Sequence, residues 1–243
     1  GAVAKLKGGK APGWDLMCTE HLMHLGTNFL GGLSVLFNVM MNHSVLPSEF
    51  TYSLLAPLVK DKSGALDDKS NYRAIALSTT LSKILELILM ERMSPFLATS
   101  DAQFGFKASH STTLATYVLK ETVHHYTSHG SPVYACFLDA TKAFDRVCHS
   151  KLFRVLAGRK VPLPYLKLLW MWYRSQQMGV KWANSESGAF SVQNGVRQGG
   201  NLSPLLFNVY IDSILSTIRG MPVGCHIGPS SVNVIAYADD VVL

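Results

Sequence analysis

The chain has 243 residues, 48% apolar and 16% charged, with a formal net charge of +6. A charged share well below the usual ~25% excludes an intrinsically disordered chain and calls for a sizeable core, in one large or two small domains. No apolar run reaches the ~20 residues of a membrane-spanning helix, and the cysteines Cys18, Cys136, Cys148 and Cys225 form no C-x-x-C pair, so no membrane span, zinc site or disulfide is expected. The opening Gly1-Ala2-Val3 carries neither an initiator Met nor a signal-peptide pattern, which reads as a fragment of a longer intracellular protein.

Along the chain, residues 28–41 are apolar on nearly every side and predict a buried helix. Residues 54–59 read as a short strand, followed by a polar loop over 60–71. Ser78 or Thr79 caps a helix to about Met93, with Leu81, Ile84, Leu85, Ile88 and Leu89 on its apolar side and Pro95 stopping it. Another helix spans 113–126, ahead of the turn signal Gly130-Ser131-Pro132. Residues 133–138 form a continuous apolar strand that ends at Asp139.

From Lys142 to Lys181 nine basic residues meet a single acid, Asp145, and Phe153, Tyr165, Trp170, Trp172, Tyr173 and Trp182 interleave with them. Cations for phosphates beside rings for bases describe a nucleic-acid surface. A solvated helix face over an aromatic core fits the same residues equally well. Residues 192–201 are a Gly-rich loop, after which Ser203 and Pro204 suit the cap and first position of a helix carrying Phe207, Tyr210, Ile211, Ile214, Leu215 and Ile218. Strands over 232–237 and 241–243 flank Ala238-Asp239-Asp240. Helices followed by strand, helix and two strands predict an α+β fold.

Asp239 and Asp240 interrupt an apolar segment, and Asp139 ends another. A carboxylate in such surroundings is costly unless it is solvated in a turn, paired or bound to a metal. If the strand ending at Asp139 lies beside the Asp239–Asp240 hairpin, three carboxylates converge, and their mutual repulsion calls for cations. Hard oxygen ligands without His or Cys select Mg²⁺ or Mn²⁺, and two such ions ~3.5–4 Å apart form the clamp used in phosphoryl chemistry.

The same residues resemble a known family. Phe137-Leu138-Asp139-Ala140-Thr141-Lys142-Ala143-Phe144-Asp145, Gly195-Val196-Arg197-Gln198-Gly199-Gly200-Asn201-Leu202-Ser203-Pro204 and Tyr237-Ala238-Asp239-Asp240 resemble, in order, three catalytic motifs of the reverse transcriptases of non-LTR (LINE-type) retrotransposons. Upstream, Lys7-Gly8-Gly9-Lys10-Ala11-Pro12-Gly13, Asn71-Tyr72-Arg73-Ala74-Ile75 and Gln103-Phe104-Gly105-Phe106 resemble finger-region motifs of that branch.

The resemblance implies a right-hand polymerase, with mainly helical fingers over 1–110 packed on an antiparallel palm sheet. The palm takes 111–150 and 191–243, and the basic aromatic stretch 151–190 lies at their junction along the template–primer duplex. It implies an RNA-directed DNA polymerase that works on an RNA template, a DNA primer and dNTP, in the nucleus. Asp139, Asp239, Asp240 and the carbonyl of Ala140 would hold two Mg²⁺ (or Mn²⁺) ions. Lys60, Arg73 and Lys142 would bind the triphosphate, Phe144 would exclude a 2′-hydroxyl, and Gln198 would contact the nucleotide and the template base. Gly199, Gly200 and Tyr237 fall on the template–primer side. The thumb and any endonuclease domain would belong to the full-length protein, so the isolated chain is expected to polymerise weakly or not at all. A remnant that only binds RNA is the alternative.

Overall fold

A computed structural model describes residues 2–6 and 8–243; Lys7, the first residue of the Lys7-to-Gly13 motif, lies outside the described residues. Eight helices are described: α1 (Thr19–Met23), α2 (Thr27–His43), α3 (Ser48–Thr51), α4 (Thr80–Met93), α5 (Thr112–Ser128), α6 (His149–Gly158), α7 (Leu163–Arg174) and α8 (Ser203–Arg219). The strands are β1 (Tyr52–Val59), β2 (Tyr72–Ser78), β3 (Phe137–Asp139), β4 (Gln177–Trp182), β5 (Ser185–Glu186), β6 (Phe190–Ser191), β7 (His226–Ile227), β8 (Ser230–Ser231), β9 (Ile235–Tyr237) and β10 (Asp240–Val242). The fold is thus a mixture of helices and mainly antiparallel sheet.

Two sheets matter for the site. In the first, β1 pairs antiparallel with β2 and parallel with β4, in the order β2-β1-β4-β5, and β6 also joins β4. Pro57 is tolerated in β1 because the pairing with β4 stops at Leu55↔Val180, so no ladder partner needs its missing N–H on that side. The N-terminal 110 residues are mainly helical, in α1 to α4, but not wholly so. They carry a strand hairpin, and β2 in particular was not read from the sequence. The loop between its strands is tied by Lys60 N–H to Asn71 O (2.8 Å) and Asp61 N–H to the Asn71 side-chain oxygen (2.9 Å). The second sheet, β3-β10-β9, is antiparallel throughout.

The main core lies where α2, α4, α6, α7 and α8 meet, around Phe37, Leu85, Leu89, Leu152, Leu156, Leu168, Trp172 and Leu206. The α2 helix is corrected by it. Only Leu33, Phe37, Met40 and Met41 are buried, while Val35, Leu36 and Val39 stay exposed, because α2 packs along a single stripe. The basic aromatic stretch divides between its two readings. Phe153, Trp172 and Tyr173 are core, with Trp172 Nε1 donating to Phe50 O (2.9 Å), whereas Trp182 and the cations Lys151, Arg154, Lys167 and Arg174 face outward.

Two boundaries also move. Residues 133–135 lie outside β3, while Cys136 exchanges both backbone hydrogen bonds with Leu243 (2.9 and 3.0 Å) at its edge; Tyr134 is 90% exposed. The α8 helix begins on Ser203 itself, so Leu202 is its cap and Pro204 stands second.

Candidate active site

β9 and β10 are joined by a two-residue turn, Ala238-Asp239, with Tyr237 opposite Asp240. The turn residues are therefore Ala238 and Asp239, and Asp240 already belongs to the returning strand. Ala238 takes the left-handed conformation (φ +57°), which the first residue of a tight hairpin turn requires and which Ala adopts only under constraint. Asp240 pairs on its other side with Asp139, the last residue of β3. Directly opposite residues share one face of a sheet, so the register brings Asp139 and Asp240 together, with Asp239 beside them at the tip. Burial, then the charges of Asp240 and Asp139, hold the Asp239 carboxyl above its ordinary range, and Arg73 pulls it back down.

The chain leaving Asp139 forms one wall of a cleft of about 1140 Å³. Lys142, itself left-handed, precedes a short turn over Ala143–Arg146. Phe144 stacks on Phe207 of α8 (centroids 4.4 Å, 15°) and meets the edge of Phe106 (6.2 Å). The Gly-rich loop closes the back. Val196 N–H donates to Phe144 O and Gly195 N–H to Val147 O (2.8 Å each), and Gln198 Nε2 donates to Asp145 Oδ1 (2.9 Å).

The same loop is fastened to the opposite wall. Ala76 N–H in β2 donates to Gln198 O (2.7 Å). Arg197 donates to Glu86 Oε1 (2.8 Å) and Ser78 Oγ (3.2 Å), its guanidinium 4.6 Å from the Trp172 ring centre, while Asn201 N–H donates to Glu86 Oε2 (2.6 Å). Both side chains of the Arg197–Glu86 pair are almost fully buried, at 2% and 3% exposure. Gly199 (φ +102°) has room only for hydrogen, since a Cβ there would press on Ala76 O at 3.1 Å. Arg197 and Glu86 were missed by the sequence reading; the available signal was an acid set between Leu85 and Leu87 on an otherwise apolar helix.

Of the expected site residues, Lys60, Arg73, Asp139, Ala140, Lys142, Phe144, Gln198, Gly199, Gly200 and Asp239 all line the cleft. Asp240 is in register with Asp139 but outside the lining, and Tyr237 packs against the cluster of Phe104, Ala115 and Ile235. Lys60 Nζ is committed to Ser70 O (2.8 Å), whereas Arg73 and Lys142 have no salt-bridge partner among the described residues. The cleft thus sets exposed cations opposite a carboxylate edge, an arrangement suited to a polyphosphate bridged to hard cations.

The donor set fits Mg²⁺ or Mn²⁺. All three side chains offer carboxylate oxygens, the hard donors these ions prefer. Among the described residues no three acidic, His or Cys side chains are drawn together into a cage, so the expected convergence of all three carboxylates on one spot is not seen. No helix of the described residues is long and apolar enough to cross a membrane, and the four cysteines are free.

The family model for reverse transcriptase (RNA-dependent DNA polymerase) matches residues 59–243. The chain is 29% identical, over all of its length and 26% of the relative's, to a probable RNA-directed DNA polymerase from transposon BS of Drosophila melanogaster. It is 27% identical, over 98% of its length and 33% of the relative's, to the Pol polyprotein from the type-1 retrotransposable element R2 of Popillia japonica. It is 26% identical to the RNA-directed DNA polymerase from mobile element jockey of Drosophila funebris, again over 98% of the chain and 26% of the relative. The chain spans only a quarter to a third of these relatives. Among solved structures, apo telomerase of Candida tropicalis truncated from its C-terminal domain superposes with a TM-score of 0.52 at 12% identity, covering 88% of this chain and 48% of that one; the likeness is one of fold.

Proposed function

The chain belongs to the reverse transcriptase (RNA-dependent DNA polymerase) family, its relatives being polymerases of non-LTR retrotransposons, and from that premise we propose that its cleft transfers a nucleotide from a dNTP to a DNA primer on an RNA template. The primer 3′-oxygen bonds to the α-phosphorus, the bond to the bridging oxygen breaks, pyrophosphate leaves and the hydroxyl proton passes to solvent. The observation that supports this reading is the pairing of β3 and β10, which sets Asp139 opposite Asp240, together with a cleft lined by Asp139, Asp239, Lys60, Arg73 and Lys142.

Asp139, Asp239, Asp240 and the carbonyl of Ala140 would hold two Mg²⁺ or Mn²⁺ ions, which supply a more acidic 3′-hydroxyl and neutralise the charge on the departing phosphates. Arg73, with Lys142 and Lys60, grips the triphosphate, the guanidinium as a fork that fits two oxygens. Phe144, fixed between Phe207 and Phe106, fills the space that a 2′-hydroxyl would need. Gln198 reaches the nucleotide and template base on exchanging its bond to Asp145. In this reading 1–110 are fingers, 111–150 and 191–243 palm, and 151–190 the junction along the duplex.

The test is single-nucleotide addition to a DNA primer annealed to RNA, in Mg²⁺. Asp139→Asn and Asp239→Asn should each lower the rate by at least ~10²-fold, the scale of one lost electrostatic stabiliser, with RNA affinity held within about threefold. Addition that survives either change refutes the reading.

A further inference from the structure

Of the residues expected to bind the cations, Asp239 sits on, and Asp240 directly follows, a turn whose conformation is not self-sustaining. Ala238 is left-handed and 5% exposed. Being in the turn, its N–H and C=O lie off the β9–β10 ladder, yet buried backbone groups require partners. One side chain supplies both. Gln103 is fully buried at 0% exposure; its Nε2 donates to Ala238 O (3.1 Å) and its Oε1 accepts from Ala238 N–H (2.8 Å). The same Oε1 accepts from Gly105 N–H (2.8 Å), so the carboxamide is oriented from its own segment as well. Gly105 lets that segment come so near, since a Cβ there would run into the Ala238 amide nitrogen.

The segment is itself anchored at several points. Phe104 N–H donates to Ala236 O (2.7 Å) and Ala236 N–H to Ala102 O (2.8 Å), which lays it along β9. Asn208 of α8 donates to Gly105 O (2.7 Å), and Gln103 N–H donates to Ser100 O (3.1 Å). Ser100 N–H in turn donates to Asp212 of α8 (2.7 Å), which is ion-paired with Arg159.

We infer that Gln103 is a positioning residue for the nucleotidyl transfer: its carboxamide holds Ala238 left-handed and thereby aims Asp239 and Asp240 at the cations. This rests on the function proposed above. Asn is a methylene too short to span both groups, and Met fills much the same space with no donor and only a weak acceptor. A partner standing behind a cation ligand characteristically costs 10–100-fold in metal affinity or activity when removed.

The decisive experiment compares the full-length protein that carries this chain with its Gln103→Met variant. Amide hydrogen exchange at Ala238 and Mn²⁺ affinity by electron paramagnetic resonance are measured beside single-nucleotide addition. The expected result is an unchanged helical signal, at least ~10-fold lost protection at Ala238, and Mn²⁺ binding weakened by roughly 10–100-fold. The turnover rate should fall on the same scale, while KM for dNTP stays within about twofold, a split that a merely loosened fold would not give. Ala238→Gly added to Gln103→Met should recover part of the loss, because Gly takes the left-handed form unaided. If Gln103→Met does not fold, Gln103→Asn serves with the same expected losses. Unchanged Ala238 protection and Mn²⁺ affinity in a folded variant overturn the inference. Asp239→Asn is run in parallel: if it leaves nucleotide addition intact, the catalytic reading has failed, and the exchange at Ala238 still decides the role of Gln103.

Discussion

Burial, with the nearby charges of Asp240 and Asp139, raises the pKa of Asp239 in the fold, so the folded state holds that proton more tightly than the unfolded chain. Its contribution to stability is then complete below the unfolded value of 3.8 and declines as pH rises through the raised one. Asp239→Asn should therefore be more stable than the parent at pH 7, by less than about 1 kcal/mol because the group is partly solvated, and equal to it at pH 3. Urea melts in chelator at the two pH values read this directly; an Asn variant with no advantage at pH 7 removes the electrostatic argument. Phe144 makes a second prediction. Phe144→Val should lower the preference for dNTP over NTP, read as a ratio of kcat/KM values, by at least ~10-fold, or about 1.4 kcal/mol. The acids and Phe144 were legible because each stands in a motif or interrupts an apolar run. Gln103 was legible only as part of a motif: nothing in its neighbours announces that its carboxamide reaches a turn 135 residues later.

Among elements, the Gly-rich loop is a double seam, joined to the turn after β3 on one side and to β2 and α4 on the other. The buried Arg197–Glu86 pair is its strongest stitch. Arg197→Met leaves Glu86 charged and unpaired in the core and should cost about 3–5 kcal/mol. The double change Arg197→Met with Glu86→Leu should recover most of that, since a buried pair replaced by apolar side chains is often neutral. Urea denaturation of the four proteins of that cycle measures the coupling, and additive losses would show that the two side chains act independently. The helices of this region were legible from periodicity and caps: Thr79 accepts from Ser82 N–H at the head of α4, as the sequence indicates. The strands were less so. β2 opens with half-buried Tyr72 and exposed Arg73 and Ala74, which show no clean alternation, and only its partner β1 makes it a strand. β3 takes only the end of its apolar run, and Phe137 and Leu138 stay exposed in it, so apolar composition alone does not mark a buried strand.

For the whole molecule, the ambiguity of the basic aromatic stretch was real, because residue types alone do not say which way a helix face turns. The rings of α6 and α7 that face inward build the core, and the cations that face outward remain available to phosphates. Replacing Lys151 and Arg154 by Gln should leave stability nearly unchanged. If both meet the backbone of single-stranded RNA, the slope of log affinity against log salt should flatten by ~1.4. An unaltered slope in a filter-binding series places the nucleic-acid path elsewhere. The topology carries one more consequence. Tyr52 waits for Gln177, and Asp139 for Asp240, before either sheet can close. On the ribosome, the helices can therefore form early while the cleft stays open until β10 has emerged. Pairings this distant in sequence make folding of this region slow compared with that of its helices.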